Sequence, residues 1–186
     1  MTGLSGCYSE YTQKVRSELA SGVKYDSLFL GLKFGMTRNE FFEHCWELNK
    51  QKKLWHSSRN DAVLYRINNF KYEAKMEFYP NFEDEKIYEM PVRFQYVGWS
   101  PLVKELSSDS LRVEVMGLME KWYGADFMKM EKETGEYAMV RVDGNRRIII
   151  TRDSDQSVKV LFTDLTVEIE SEEEVEDDHE HDPNTQ

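Results

Sequence analysis

The chain has 186 residues, 13 % of them aromatic, which is enough for one domain of ordinary size whose core folds without metals or disulfides. Its formal net charge of −11 is uneven: ten carboxylates and no Lys or Arg lie between Glu168 and Gln186, and the remainder carries 24 basic and 25 acidic residues, so it offers no basic field for nucleic acid. No apolar run approaches the ~20 residues that span a bilayer, so the chain as written reads as soluble, and Cys7 and Cys45 supply neither a zinc site nor a disulfide framework.

The first residues read M-T-G-L-S-G-C, and Leu4-Ser5-Gly6-Cys7 has the pattern of a bacterial lipobox, a small residue before the cysteine that receives lipid. The charged and apolar regions of a signal peptide do not precede it. Two readings stay open: Cys7 is the lipidated first residue of a mature protein whose gene start lies upstream, or this is an ordinary terminus and the protein is cytoplasmic. Over residues 9–21, Val15 and Leu19 share a face with Tyr8, Tyr11 and Thr12 ahead of Gly22, which predicts a short amphipathic helix. Beside a lipid anchor it would act partly as a spacer.

Apolar residues interrupted by Gly31 and Gly35 lead to Thr37, and Glu40 follows at the spacing of a capping box, so a helix begins there. Phe41, Cys45 and Leu48 fall at i, i+4 and i+7, with Phe42 and Trp46 widening the stripe, and Glu40, Glu43, Glu47 and Lys50 lie mostly opposite. After Lys53 the period falls to two. Tyr72, Ala74, Met76 and Phe78 alternate with Lys71, Glu73, Lys75 and Glu77, and residues 87–99 alternate likewise, which predicts strands over 62–67, 70–78 and 87–99 joined through Asn68-Asn69 and the acidic stretch 83–85.

The order then recurs. Pro101 opens a short helical turn, and Ser107 to Ser110 offer caps for a helix whose stripe is Leu111, Val115, Leu118, Met119 and Trp122, ended by Gly124. Strands follow at 127–132, 137–142, 147–152 and 158–169, with Asp143-Gly144-Asn145 as a hairpin turn. The expected fold is α+β: two successive α-β-β-β(-β) units, over residues 25–100 and 101–169, with helices on one face of antiparallel sheet. Residues 1–24 form an N-terminal segment, and residues 170–186 form an acidic tail that self-repulsion keeps disordered. The core should hold Phe41, Cys45, Leu48, Leu111, Val115 and Trp122.

Candidate chemistry is sparse. His179 and His181, among tail carboxylates, form at most a weak metal-binding tract, and a plain solvating tail is the favoured reading. His44 and Cys45 are adjacent on a helix, point about 100° apart and cannot form a catalytic pair. No nucleophile elbow, zinc-protease motif or phosphate loop occurs, so no cofactor is expected and an enzyme is the less favoured reading. Trp55, Tyr79, Tyr96 and Trp99 lie near strand ends or loops and are the candidates for a partner surface, against a competing role in packing. Trp46 and Trp122 are read as core.

Two resemblances complete the reading. The stretch Gly31-Leu-Lys-Phe-Gly35-Met36-Thr37-Arg-Asn-Glu40 resembles the G-M-T-x-x-E entry to the first helix in small envelope lipoproteins of the outer-membrane assembly type and in the β-lactamase-inhibitor-like fold. That resemblance implies helices against a curved antiparallel sheet. Residues 7–22, Tyr25-Asp-Ser-Leu-Phe-Leu-Gly, Cys45-Trp46-Glu-Leu-Asn-Lys-Gln and Val142-Asp-Gly-Asn-Arg together are similar to uncharacterised lipoproteins of Bacteroidota-type bacteria, which implies an envelope location. The expected function is therefore a non-enzymatic, membrane-anchored envelope protein that binds another envelope protein. The alternative is a small-ligand binder or enzyme with a pocket between helices and sheet.

Overall fold

The computed structural model describes residues 4–58, 62–131 and 135–167, giving the backbone alone for 4–9. The predicted metal tract at His179 and His181 and the acidic tail lie outside the described residues. Helix α1 (Leu4–Ala20) precedes α2 (Arg38–Lys50) and strands β1 (Trp55–His56), β2 (Val63–Ile67), β3 (Ala74–Phe78), β4 (Asn81–Glu83) and β5 (Lys86–Tyr96). A 3-10 turn (Lys104–Leu106) and α3 (Ser108–Tyr123) introduce β6 (Met128–Glu131), β7 (Tyr137–Asp143), β8 (Arg146–Ser154) and β9 (Ser157–Asp164). The fold is mixed α+β. No described helix is long and apolar enough to cross a membrane.

The strands make one antiparallel sheet in the order β1-β2-β3-β5-β9-β8-β7-β6, with β4 paired to β5 off that path. Each run of strands therefore ends at the centre, where β5 meets β9, and its earlier strands lie progressively outward. Direct cross-strand partners share a face. Ala74, Met76 and Phe78 on β3 thus align with Tyr96, Phe94 and Val92 on β5, which continue to Val158 and Val160 on β9 and Ile150 on β8. All are buried in one cluster, together with Leu111, Val115, Leu118 and Met119 of α3 and Phe41 and Cys45 of α2.

Helix α1 packs elsewhere. Val140 and Val142 of β7 pair with Ile149 and Arg147, so they point away from Ile148 and Ile150 and from the large core. Tyr11, Val15 and Leu19 of α1 cover Val140, Val142, Ile149 and Leu165 on that second face. This helix lies outside the two expected units, whose helices α2 and α3 both contribute to the large cluster; apolar residues at alternate positions of β7 and β8 create a second patch that α1 covers. Helix α1 also starts earlier than predicted, at Leu4, and packs on the folded body through Tyr11, Val15 and Leu19.

Strand limits differ where turns intervene. Strand β3 begins at Ala74, and the acidic link before β5 contains β4 and a tight turn at Asp84 and Glu85, both at positive φ, the geometry of a two-residue hairpin. Strand β9 ends at Asp164, and a helical turn follows over residues 165–167. Trp122, expected in the core, is 38 % exposed, and Leu48 is half-buried. Trp122 instead stacks on the buried Phe29 at the rim, with ring centroids 6.4 Å apart.

The β7–β8 turn anchors the segment between α1 and α2. The Gly144 amide donates to Glu18 Oε2 at 2.8 Å, the Tyr25 amide donates to Asn145 Oδ1 at 2.7 Å, and Arg146 Nη1 donates to the Ser27 carbonyl at 2.8 Å. Lys14 and the Gly144 amide, both bonded to Glu18, hold its carboxyl below the usual value. Gly144 has φ +52, and a Cβ there would lie 2.0 Å from the Val23 carbonyl oxygen, a backbone atom that cannot swing aside. Gly144→Ala is expected to destabilise the fold by about 2–4 kcal/mol, through backbone strain and loss of these bonds. A urea titration would show it as a lower midpoint with an unchanged slope.

Candidate functional site

Helix α2 starts at a capping box. The Thr37 hydroxyl accepts from the Glu40 amide, and Glu40 Oε2 accepts from the Thr37 amide at 2.7 Å, which keeps the Glu40 carboxyl below its usual value. The start is also pinned to the β4–β5 hairpin by the Arg38 amide to the Glu85 carbonyl, 3.1 Å, and by Gly35 and Met36 bonding to Ile87. With the axis fixed, Phe41 at 0 % exposure and Cys45 at 9 % face the core. Phe42 and Trp46, one position further round, emerge beside it at 47 % and 61 % exposure.

Trp46 is therefore not a core residue. Together with Phe42, Asn49, Leu54, Trp55 and Val63 it lines an open apolar cleft of about 560 Å³ between α2 and the β1–β2 edge of the sheet. Leu54 is buried and forms part of the floor, and Asn49 Nδ2 donates to its carbonyl at 2.7 Å, tying the end of α2 to the strand that follows. Two cations flank the aromatic walls: Lys50 Nζ lies 3.3 Å from the Trp46 ring centroid, and the Arg66 guanidinium lies 5.5 Å from that of Trp55.

Of the four aromatics predicted for a partner surface, Trp55 lies in the cleft at 40 % exposure. Tyr79 is half-buried behind it, its ring centroid 5.9 Å from Phe41 and 6.4 Å from Phe42. Tyr96 is corrected: it is 2 % exposed, its hydroxyl donates to Glu114 Oε1 at 3.3 Å, and burial and that carboxylate push its pKa up. The position of Tyr96 near a strand end hid the fact that α3 covers this end of β5. Trp99 is half-buried beyond β5 and does not join the cleft. Phe42 and Trp46 were missed because they extend the helix stripe. The signal for them is that Phe41, Cys45 and Leu48 already complete one buried face.

The cleft is lined mainly by apolar residues, with Glu43, Cys45 and His56 as its ionisable groups. Cys45 contributes to its wall, and burial pushes its thiol up to about 12, so thiolate chemistry is suppressed at neutral pH. His44 turns the other way, its Nε2 2.7 Å from the Leu30 carbonyl oxygen. Among the described residues no group of three or more His, Cys, Asp or Glu could hold a metal ion. The lipidation candidate Cys7 lies in the first turns of α1, and its side chain is outside the described residues. No family model, curated protein or solved structure matches the chain.

Neighbouring aromatics on α2 should respond oppositely to truncation. Phe41→Ala is expected to cost about 3–5 kcal/mol, the range for deleting a buried ring, whereas Trp46→Ala should change stability by less than about 1 kcal/mol. Denaturant melts of the two variants measure the contrast.

Proposed function

We propose that the protein is a non-enzymatic binding protein of a cell envelope, anchored through Cys7, that takes a bulky apolar side chain or short apolar segment of a partner protein into the cleft between α2 and the β1–β2 edge. The observation that carries the binding half is the grouping of Phe42, Trp46 and Trp55, all well exposed, around one concave apolar surface. Exposed aromatics clustered in a pocket are the residue types that dominate protein interfaces. Its lining favours burial of apolar groups over bond chemistry.

The envelope half rests on the lipobox pattern Leu4-Ser5-Gly6-Cys7 and on the stated resemblance to envelope lipoproteins. In this reading the acyl chains sit one helical turn, about 6 Å, before Tyr11, which packs on the second face of the sheet. The body is then held close to the membrane on the side where α1 lies against β6 and β7. The two helix-and-strand runs act as halves of one scaffold, the first run supplying the cleft and the second the attachment side. A small apolar ligand is the second reading, favoured by a volume of about 560 Å³, within the range of ordinary ligand pockets.

The anchor is tested by metabolic labelling of the full-length gene product with a fatty acid. Label is expected in the native sequence and absent in Cys7→Ser, and equal absence in both sinks the anchor. The cleft is tested by selecting binders from a random peptide library. Selected peptides should carry a Leu, Phe or Trp and should bind Trp46→Ala or Trp55→Ala at least about 10-fold more weakly. Peptides indifferent to both substitutions would refute the cleft as a peptide site, and displacement of a bound apolar dye by fatty acids alone would favour the small-ligand reading.

A further inference from the structure

A second concavity opens where α3 passes the end of β2. Tyr65 and Ile67 of β2 lie directly opposite Met76 and Ala74 of β3, so they share the face that α3 covers. Ile67 is buried, and the chain then leaves the sheet through Asn68 and Asn69, both exposed. On α3, Leu118 is buried, and Trp122, one helical turn later on the same side, extends past it to the surface. Tyr65, Asn68, Asn69, Leu118, Lys121 and Trp122 together line a pocket of about 400 Å³, within the range of small-molecule sites.

Its lining differs in kind from that of the apolar cleft. Phe29 and Tyr123 brace the Trp122 indole, with ring centroids 6.4 Å and 6.2 Å away, and leave it 38 % exposed as an aromatic plate in the pocket wall. Among the described residues, the Asn68 and Asn69 amides, the Tyr65 hydroxyl and the Lys121 ammonium make no hydrogen bond or ion pair. The amides and the hydroxyl both donate and accept, whereas the ammonium only donates. No carboxylate among the described residues lines the pocket. Arg66, at its border, is met by Glu73 at 3.0 Å, and Glu114, further back on α3, accepts from the Lys71 amide and the Tyr96 hydroxyl. Lys121 is therefore the cation left for a ligand.

A ligand that uses all of these groups presents C–H bonds to a ring face, hydroxyls to amides and an anion to an ammonium. The negative face of an indole attracts the weakly positive edges of such C–H groups. A sugar ring carrying a carboxylate combines the three features in one small molecule. A purely apolar ligand would desolvate the amides and the ammonium without pairing them, and a simple anion would leave the indole unused. We infer that this pocket is a saccharide site selective for uronic-acid units. Trp122 lies under the sugar ring, Asn68, Asn69 and Tyr65 bond its hydroxyls, and Lys121 meets its carboxylate. The site goes beyond the partner cleft and stands or falls separately from it, because the two share strand β2 but no lining residue.

Proton–nitrogen correlation spectra of the full chain, titrated separately with trigalacturonic acid, maltotriose and sodium acetate, test the site. Trigalacturonic acid should move the side-chain amide signals of Asn68 and Asn69 and the indole N–H signal of Trp122, saturating with a Kd of about 1 mM or below. Maltotriose should bind at least about fivefold more weakly, for want of the charge-assisted bond, and acetate should leave the Trp122 signal in place. Lys121→Gln, a change at an exposed position, should weaken the acidic trimer by about five- to tenfold and leave maltotriose unchanged. Trp122→Leu should abolish binding of both sugars. If that variant loses the dispersed spectrum of the native fold, the exposed Asn69→Ala serves in its place and should weaken both sugars by at least about threefold. No saturable shift with trigalacturonic acid up to about 20 mM, equal affinity for maltotriose, the same shifts with acetate, or an affinity indifferent to Lys121→Gln would each overturn the assignment.

Discussion

The ladder between β5 and β9 is the constraint on which the rest of the molecule depends. Seven residue pairs, from Glu89 with Thr163 to Gln95 with Ser157, join the end of the first run of strands to the end of the second. On the core side Met90 meets Phe162, Val92 meets Val160 and Phe94 meets Val158, all six at 0–1 % exposure. At about 1.5–3 kcal/mol for each side chain fully buried, this seam is worth on the order of 10 kcal/mol before entropy, comparable with the net stability of a whole domain. Neither run could lose its partner and keep its apolar face covered. The two runs thus form one cooperative body although they arise as successive segments.

From that seam the faces follow by alternation. Every second residue of β5 and β9 is committed to the core under α3, and the intervening residues, Arg93, Gln95 and Lys159 among them, are committed to the opposite face. Toward β7 the second face becomes apolar at Val140 and Val142, and α1 covers it. Toward β2 it stays polar, and ion pairs such as Lys75 with Glu77 take the place of a helix. Glu77 is buried and accepts from the Ser57 hydroxyl at 2.6 Å, so the loop after β1 contributes to covering this part of the face.

The periodic parts of this arrangement were legible in the chain. The capping box at Thr37 and Glu40, the stripe of Leu111, Val115, Leu118 and Met119, and the alternation through Ala74, Met76 and Phe78 each depend on neighbours within a few residues, and such signals survive in sequence. Tyr96 and Trp122 misled because their burial depends on which helix covers which strand end, a matter decided between segments far apart in the chain. Trp46 misled for a related reason. A helix stripe can be read for its direction, but its useful width depends on how much sheet lies beneath it. The second-face role of α1 was invisible because Val15 and Leu19 say only that the helix has an apolar side, without naming Val140 and Val142 as its target.

The width of the sheet under α2 also explains why the cleft is where it is. Strand β1 has only two residues and pairs with β2 at Leu64 and Val63 alone, so the sheet tapers just where α2 presents its broadest apolar stripe. Phe41 and Cys45 find sheet residues below them, while Phe42 and Trp46 overhang the edge. Lys50 and Arg66 over the Trp46 and Trp55 rings are the kind of partial cover that long basic side chains give to exposed aromatics, shielding ring faces while leaving the groove between them open. A longer β1 would extend the sheet beneath this overhang and close the groove. The two-residue strand is therefore the feature that converts a surplus of helix stripe into a concave apolar surface.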